Sequence, residues 1–94
     1  MNSFKLGIIA EYIVLFLYKI RFYKILHLRY KTYLGEVDLI ATRGKSLIFI
    51  EVKARKQDMH DGIISDEQIH RIRATAELFL SKNPKYNKYD VRFD

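Results

Sequence analysis

The residues with the most chemistry lie in two short runs, Gly35-Glu36-Val37-Asp38-Leu39-Ile40-Ala41 and Ile48-Phe49-Ile50-Glu51-Val52-Lys53-Ala54-Arg55. Both read as strands, over 36–42 and 47–53, because β-branched and apolar residues alternate with polar ones. Between them stands Arg43-Gly44-Lys45-Ser46. Gly followed by any residue suits a two-residue type II′ turn, since Gly accepts φ > 0 without strain. A turn at Gly44-Lys45 sets Arg43 opposite Ser46, Asp38 opposite Glu51 and Glu36 opposite Lys53. Strand alternation then gathers Glu36, Asp38, Glu51 and Lys53 on one face, and Val37, Leu39, Ala41, Ile48, Ile50 and Val52 on the other.

Opposed residues have Cβ atoms about 4.5–5.5 Å apart, and two carboxylates at that distance repel and raise each other's pKa. A divalent cation between them relieves the repulsion. Mg²⁺ suits hard oxygen ligands and is often held by one or two carboxylates and several waters. Lys53 is placed to hold a water or to neutralise charge on a phosphate in a transition state. The structural alternative is a charged outer face with a Glu36–Lys53 surface ion pair, because Glu-x-Lys alone is common.

Two further polar residues bear on this site. Glu11 has only uncharged helical neighbours, Gly7, Ile8, Val14, Leu15 and Tyr18, and a carboxylate on such a face needs a partner. That partner is either a Lys, Arg or Tyr hydroxyl, or the metal site. Gln68 stands three residues after Ser65, the spacing of a capping box; it either closes the helix start or orients a water or phosphate. His60 and His70 show no metal-ligand spacing and read as surface residues.

Around these residues the chain places six elements in the order α-β-β-β-α-β. Residues 4 to 20 form a helix that is apolar nearly all round, the pattern of a helix buried in a core. Residues 25–33 alternate, with Leu26, Leu28 and Tyr30 on one side and His27, Arg29 and Lys31 on a basic outer face. Residues 54–64 are polar and irregular and read as a loop. A helix follows from Ser65 with the stripe Ile69, Ile72, Ala76, Phe79 and Leu80, and Asn83-Pro84 ends it. Residues 89–93 supply a last strand.

Composition narrows the function classes. Ninety-four residues make one domain. The absence of cysteine excludes disulfides, thiolate chemistry and sulfur-ligated zinc. The longest uncharged run in the first helix, Tyr12–Tyr18, is far short of a membrane span, and Glu11 interrupts any signal-peptide pattern. A cytoplasmic protein without stable membrane insertion is expected. Seventeen Lys and Arg against eleven Asp and Glu give a net charge of +6, which favours a polyanionic partner, with solubility as the bland reading. The excess lies in residues 1–47, with eight basic and three acidic residues. His27, Arg29, Lys31, Arg55, Arg71 and Arg73 are the candidate nucleic-acid contacts, interleaved with aromatics from Lys19 to Tyr33; Phe22 and Tyr30 read rather as core.

The two strand runs resemble the YraN-like uncharacterised protein family, which is placed in the restriction-endonuclease-like, PD-(D/E)xK, superfamily. Gly7-x-x-x-Glu11, Arg71-Ile72 with Ala76, and Arg92-Phe93-Asp94 match further family landmarks, so the resemblance covers nearly the whole chain. It implies a single nuclease-like domain over residues 1–94, with an α/β, restriction-endonuclease-like αβββαβ core, a central mixed sheet and flanking helices. It implies Mg²⁺ or Mn²⁺ held by Asp38, Glu51, the Val52 carbonyl and Glu11, with Asp38, Glu51, Lys53, Glu11 and Gln68 as catalytic residues. Related Holliday-junction resolvases carry a similar helix-borne Glu, which points to branched DNA as substrate by analogy. A homodimer would suit a two-strand cut. The sequence departs from the family at Arg29-Tyr30-Lys31, where Asn-x-Arg is frequent, at Gln68, where Lys is common, and at its end, where relatives continue past Arg-Phe-Asp. That shortened end raises an alternative: a non-catalytic module on a degenerate nuclease fold that binds nucleic acid or protein. A third reading uses the apolar first helix and its basic flank as a peripheral membrane contact.

Overall fold

The computed structural model describes residues 3–52 and 65–94. Helix α1 spans Ser3–Ile20, strand β1 Lys24–Thr32, β2 Gly35–Arg43, β3 Ser46–Ile50, helix α2 Asp66–Lys82 and β4 Asp90–Phe93, with a short 3₁₀ turn at Pro84–Tyr86. The expected αβββαβ order is observed. The strands form one mixed sheet in the order β1-β2-β3-β4, antiparallel except for β3 and β4. A parallel neighbour needs a crossover connection, and α2 lies in that crossover.

Each helix covers one face of the sheet. On one side, Ile72, Ala76 and Phe79 of α2 pack with Val37, Ile40, Leu47 and Phe49. On the other, Val14, Leu15 and Tyr18 of α1 lie against Leu39, Ala41, Ile48 and Ile50. The result is a three-layer α/β arrangement compatible with a restriction-endonuclease-like core. Phe79 is its aromatic centre, with ring centroids 5.5 Å from Tyr30, 5.8 Å from Phe49 and 5.9 Å from Tyr86.

The hairpin register is the one the sequence predicts: Arg43 faces Ser46 and Leu39 faces Ile50. Gly44 takes φ +60, and Lys45 is not among the positive-φ residues, as a type II′ turn requires. The first hairpin closes over Tyr33-Leu34, where the Thr32 hydroxyl accepts from Leu34 N–H (3.1 Å) and Gly35 N–H (3.2 Å). Gly35 sits at φ +151, and a Cβ there would meet Arg71 Cβ and Thr75 Oγ1 at 3.1 Å each.

Four sequence expectations are corrected. Strand β1 does not alternate simply. Its register with β2 slips between Ile25 and His27, and Arg29 adopts φ +52. Leu26 and Tyr30 join the α2-side core, whereas Leu28 stays half exposed. His27 leaves the expected basic face and packs its ring 5.6 Å from Phe79. On the facing strand, Val37 packs with Ile40 rather than with Leu39. The slip and the left-handed residue each shift the two-residue period by one. Helix α1 is not buried: Ile13 is 55% and Phe16 64% exposed. Among the described residues only the sheet lies against α1, so its second apolar side faces outward. Phe22, expected in the core, is 87% exposed.

Candidate active site

The acidic residues gather where β2 and β3 part. The ladder closes at Leu39 and Ile50. One residue on, the Val52 N–H donates to Asp38 Oδ2 at 2.7 Å. A side-chain oxygen thus takes the place of a backbone acceptor, and Asp38 is tied to the segment that carries Glu51. The Glu51 N–H turns the other way and donates to the Asp94 carbonyl at 3.0 Å. Asp38 and Glu51 are therefore held at the same end of neighbouring strands, although not as a ladder pair on one face.

Glu51 borders an open cleft of about 500 Å³ whose walls include Lys31, Glu36, Ser65, Gln68 and Arg71. Ser65 caps α2, its hydroxyl accepting from Gln68 N–H at 3.1 Å. No bond returns from the Gln68 amide to Ser65 among the described residues, so half of the capping box forms and the Gln68 side chain lines the cleft. Arg71 bonds Glu67 one turn earlier on α2. Arg73 lies on the other side of Glu51, in a cleft with Phe93 and Asp94. Lys53, Arg55 and His60 fall outside the described residues.

Glu11 finds its partner in Arg29, whose Nε donates to Glu11 Oε1 at 2.8 Å. This bond holds the Arg29 guanidinium above its ordinary pKa, with Coulomb attraction to Glu11 adding to it. Arg29 and Glu11 share a cleft of about 300 Å³ with Lys31, Glu36 and Asp38. Of the two partners open to Glu11 in the sequence, the guanidinium is the one observed. Among the described residues no three His, Asp or Glu side chains stand close enough to hold a metal by themselves.

Two residues have roles here that the sequence did not assign them. Glu36 borders both clefts and faces Lys31 across the β1–β2 ladder; the signal was its place two residues before Asp38. Asp94, beside Glu51, accepts from the Tyr18 hydroxyl at 2.7 Å and from Arg92 Nε and Nη2 at 2.8 Å each. These bonds tie β4 to α1. The Arg92 contact is the main cause holding the Asp94 carboxyl below its ordinary range, and burial together with the Asp94 contact pushes the Tyr18 hydroxyl up to about 12.

Comparison with known proteins agrees along the whole chain. The profile of the uncharacterised protein family UPF0102 matches residues 10–94. A UPF0102 protein of Rhizobium meliloti is 38% identical over 96 residues, covering 100% of this chain and 78% of the relative. One from Mesorhizobium japonicum is 37% identical over 94 residues, covering 99% and 75%. One from Rhodopseudomonas palustris is 40% identical over 93 residues, covering 98% and 71%. With the profile covering most of the sequence and such identities across its length, the chain belongs to the UPF0102 family.

Proposed function

We propose that the protein is a divalent-metal-dependent nuclease that hydrolyses phosphodiesters of DNA, branched DNA in particular. The observation that carries this reading is the anchoring of Asp38 to Val52, which sets one carboxylate against the segment bearing another, Glu51, at the mouth of the cleft.

The donor set fits Mg²⁺ or Mn²⁺ held by Asp38, Glu51 and the Val52 carbonyl, with water completing the shell, since Mg²⁺ seldom takes an all-protein cage. Such an ion supplies Lewis acidity and a more acidic bound water. The chain's own residues then have separate tasks. Asp38 and Glu51 set the position of charge. Gln68 orients a water or a phosphate oxygen. Lys31 and Arg71, on the cleft wall, take non-bridging phosphate oxygens and position the backbone of the nucleic acid. Lys53 assists at the leaving or attacking oxygen. Glu11, bonded to Arg29, acts as an outer carboxylate.

A second reading, a binding module without chemistry, draws on the absence of a three-ligand metal cluster among the described residues. Calorimetric titration with Mn²⁺ separates the two. The nuclease reading predicts saturable binding by the parent and its loss in Asp38→Ala and Glu51→Ala; no binding by the folded parent, with salt-sensitive DNA binding retained, selects the module.

A further inference from the structure

Helix α1 carries an apolar face that nothing among the described residues covers. Ile9, Tyr12, Ile13, Phe16, Leu17 and Ile20 are each between 38% and 64% exposed. At 100° per residue they fall on one side of the helix, opposite Val14, Leu15 and Tyr18, which pack on the sheet. Scattered exposed apolar residues need no explanation, but a contiguous patch of this kind marks an interaction surface.

The turn that ends α1 adds an independent observation. The Tyr23 N–H bonds the Tyr18 carbonyl at 3.0 Å and the Phe22 N–H bonds the Lys19 carbonyl at 3.0 Å. This is a Schellman cap, whose left-handed position is usually glycine. Here it is Phe22, at φ +67 and almost fully exposed. A bulky aromatic at that position strains the backbone, and its ring recovers almost no burial within the fold.

Charge selects the occupant. Lys5, Lys19, Arg21 and Lys24 are all exposed around this helix and its cap. The one acid of the segment, Glu11, is on the sheet side and bonded to Arg29. A second copy docked antiparallel on the same face would bring Lys5 of one near Lys19 of the other. An anionic bilayer surface complements both properties: apolar side chains enter the headgroup boundary while Lys and Arg reach lipid phosphates, and Tyr12 and Lys19 share one border of the face. The helix has 18 residues, so it lies along about 27 Å of surface at 1.5 Å per residue. None of its length crosses the membrane, in keeping with the lack of any spanning helix among the described residues.

We propose that the outward face of α1, with Phe22 and its basic rim, docks this protein on anionic membrane surfaces. The test is co-sedimentation of the full chain with phosphatidylglycerol–phosphatidylcholine vesicles and with phosphatidylcholine vesicles alone, at low and high salt. Binding to the anionic vesicles that weakens with salt is expected, and Lys19→Gln with Arg21→Gln should weaken it roughly 30-fold at low salt. Ile13→Ser with Phe16→Ser should abolish it, with circular dichroism unchanged because both residues are exposed. Phe22→Gly relieves the strained cap, so it should raise the thermal midpoint while lowering vesicle binding. That opposite movement excludes a folding defect as the cause. Failure of the parent to bind anionic vesicles overturns the proposal, as does equal binding to neutral ones. Concentration-dependent dimerisation removed by Ile13→Ser with Phe16→Ser, without vesicle binding, also overturns it and assigns the face to a second copy.

Discussion

At the scale of single residues, the site depends on side chains replacing backbone partners and on backbone forced into uncommon regions. Asp38 is the first kind: its carboxylate ends the β2–β3 ladder by taking the Val52 N–H. Gly35 is the second, fixed by φ +151 and by the approach of α2 at Arg71 and Thr75. Gly35→Ala should cost about 1–3 kcal/mol, read as a lower urea midpoint; an unchanged midpoint would show that α2 yields freely. Tyr18 is a third point of leverage. Its hydroxyl is raised to about 12 from 10.0 by burial and the Asp94 contact. A raised pKa stabilises the fold below the unfolded value and is lost as pH rises through the folded one. Phenolate absorbance should therefore show one tyrosine ionising near 12, absent in Tyr18→Phe, with unfolding promoted as it ionises. An alkaline titration curve that Tyr18→Phe leaves unchanged at its upper end would break the Tyr18–Asp94 link. Asp94 works in the opposite sense: its lowered pKa stabilises the fold above the ordinary carboxylate range, and that contribution is lost in acid.

Elements decide which of these residues meet. The turn and register of the β2–β3 hairpin were legible from Gly44 to the Leu39–Ile50 pair, because Gly44 fixes the turn and the turn fixes the register; the expected continuation to an Asp38–Glu51 pair was not, because β3 ends at Ile50. Helix α2 was equally legible from Ser65 and its apolar stripe, and its capped start faces the cleft through Gln68. Ser65→Ala should lower stability by about 1 kcal/mol, measured as a drop in thermal midpoint, and should loosen the position of Gln68; a midpoint equal to the parent's would deny Ser65 its capping role. Strand β1 was legible as a strand, but the faces its residues take were not. Its slip at Leu26 and the left-handed Arg29 follow from no residue preference, since neither is glycine or asparagine. The same break moved Val37 to the α2 side and brought Arg29 to Glu11. Helix α1 misled for a different reason. A helix apolar all round looks the same in sequence whether two layers cover it or one does, and only the sheet's other neighbours reveal which.

For the whole molecule, β2, β3, β4 and the start of α2 converge at one end of the sheet, where Asp38 is tied to Val52, Glu51 to Asp94, and Glu51 shares a cleft with Gln68. The topology and the two carboxylates were readable from pattern and turn chemistry. The clefts were not, because they arise where β2 and β3 part and α2 begins, and no local periodicity encodes that. The nuclease reading assigns that end of the sheet to catalysis and the outward face of α1 to attachment, so the two should separate by mutation. The most direct measurement incubates the purified chain with labelled linear, flapped and four-way-junction DNA in Mg²⁺, Mn²⁺ or EDTA, beside Asp38→Ala and Glu51→Ala. The account predicts metal-dependent cutting, strongest on the four-way junction and lost in both variants. Cutting that persists in Asp38→Ala, or no cutting by the folded parent with either metal, would contradict it.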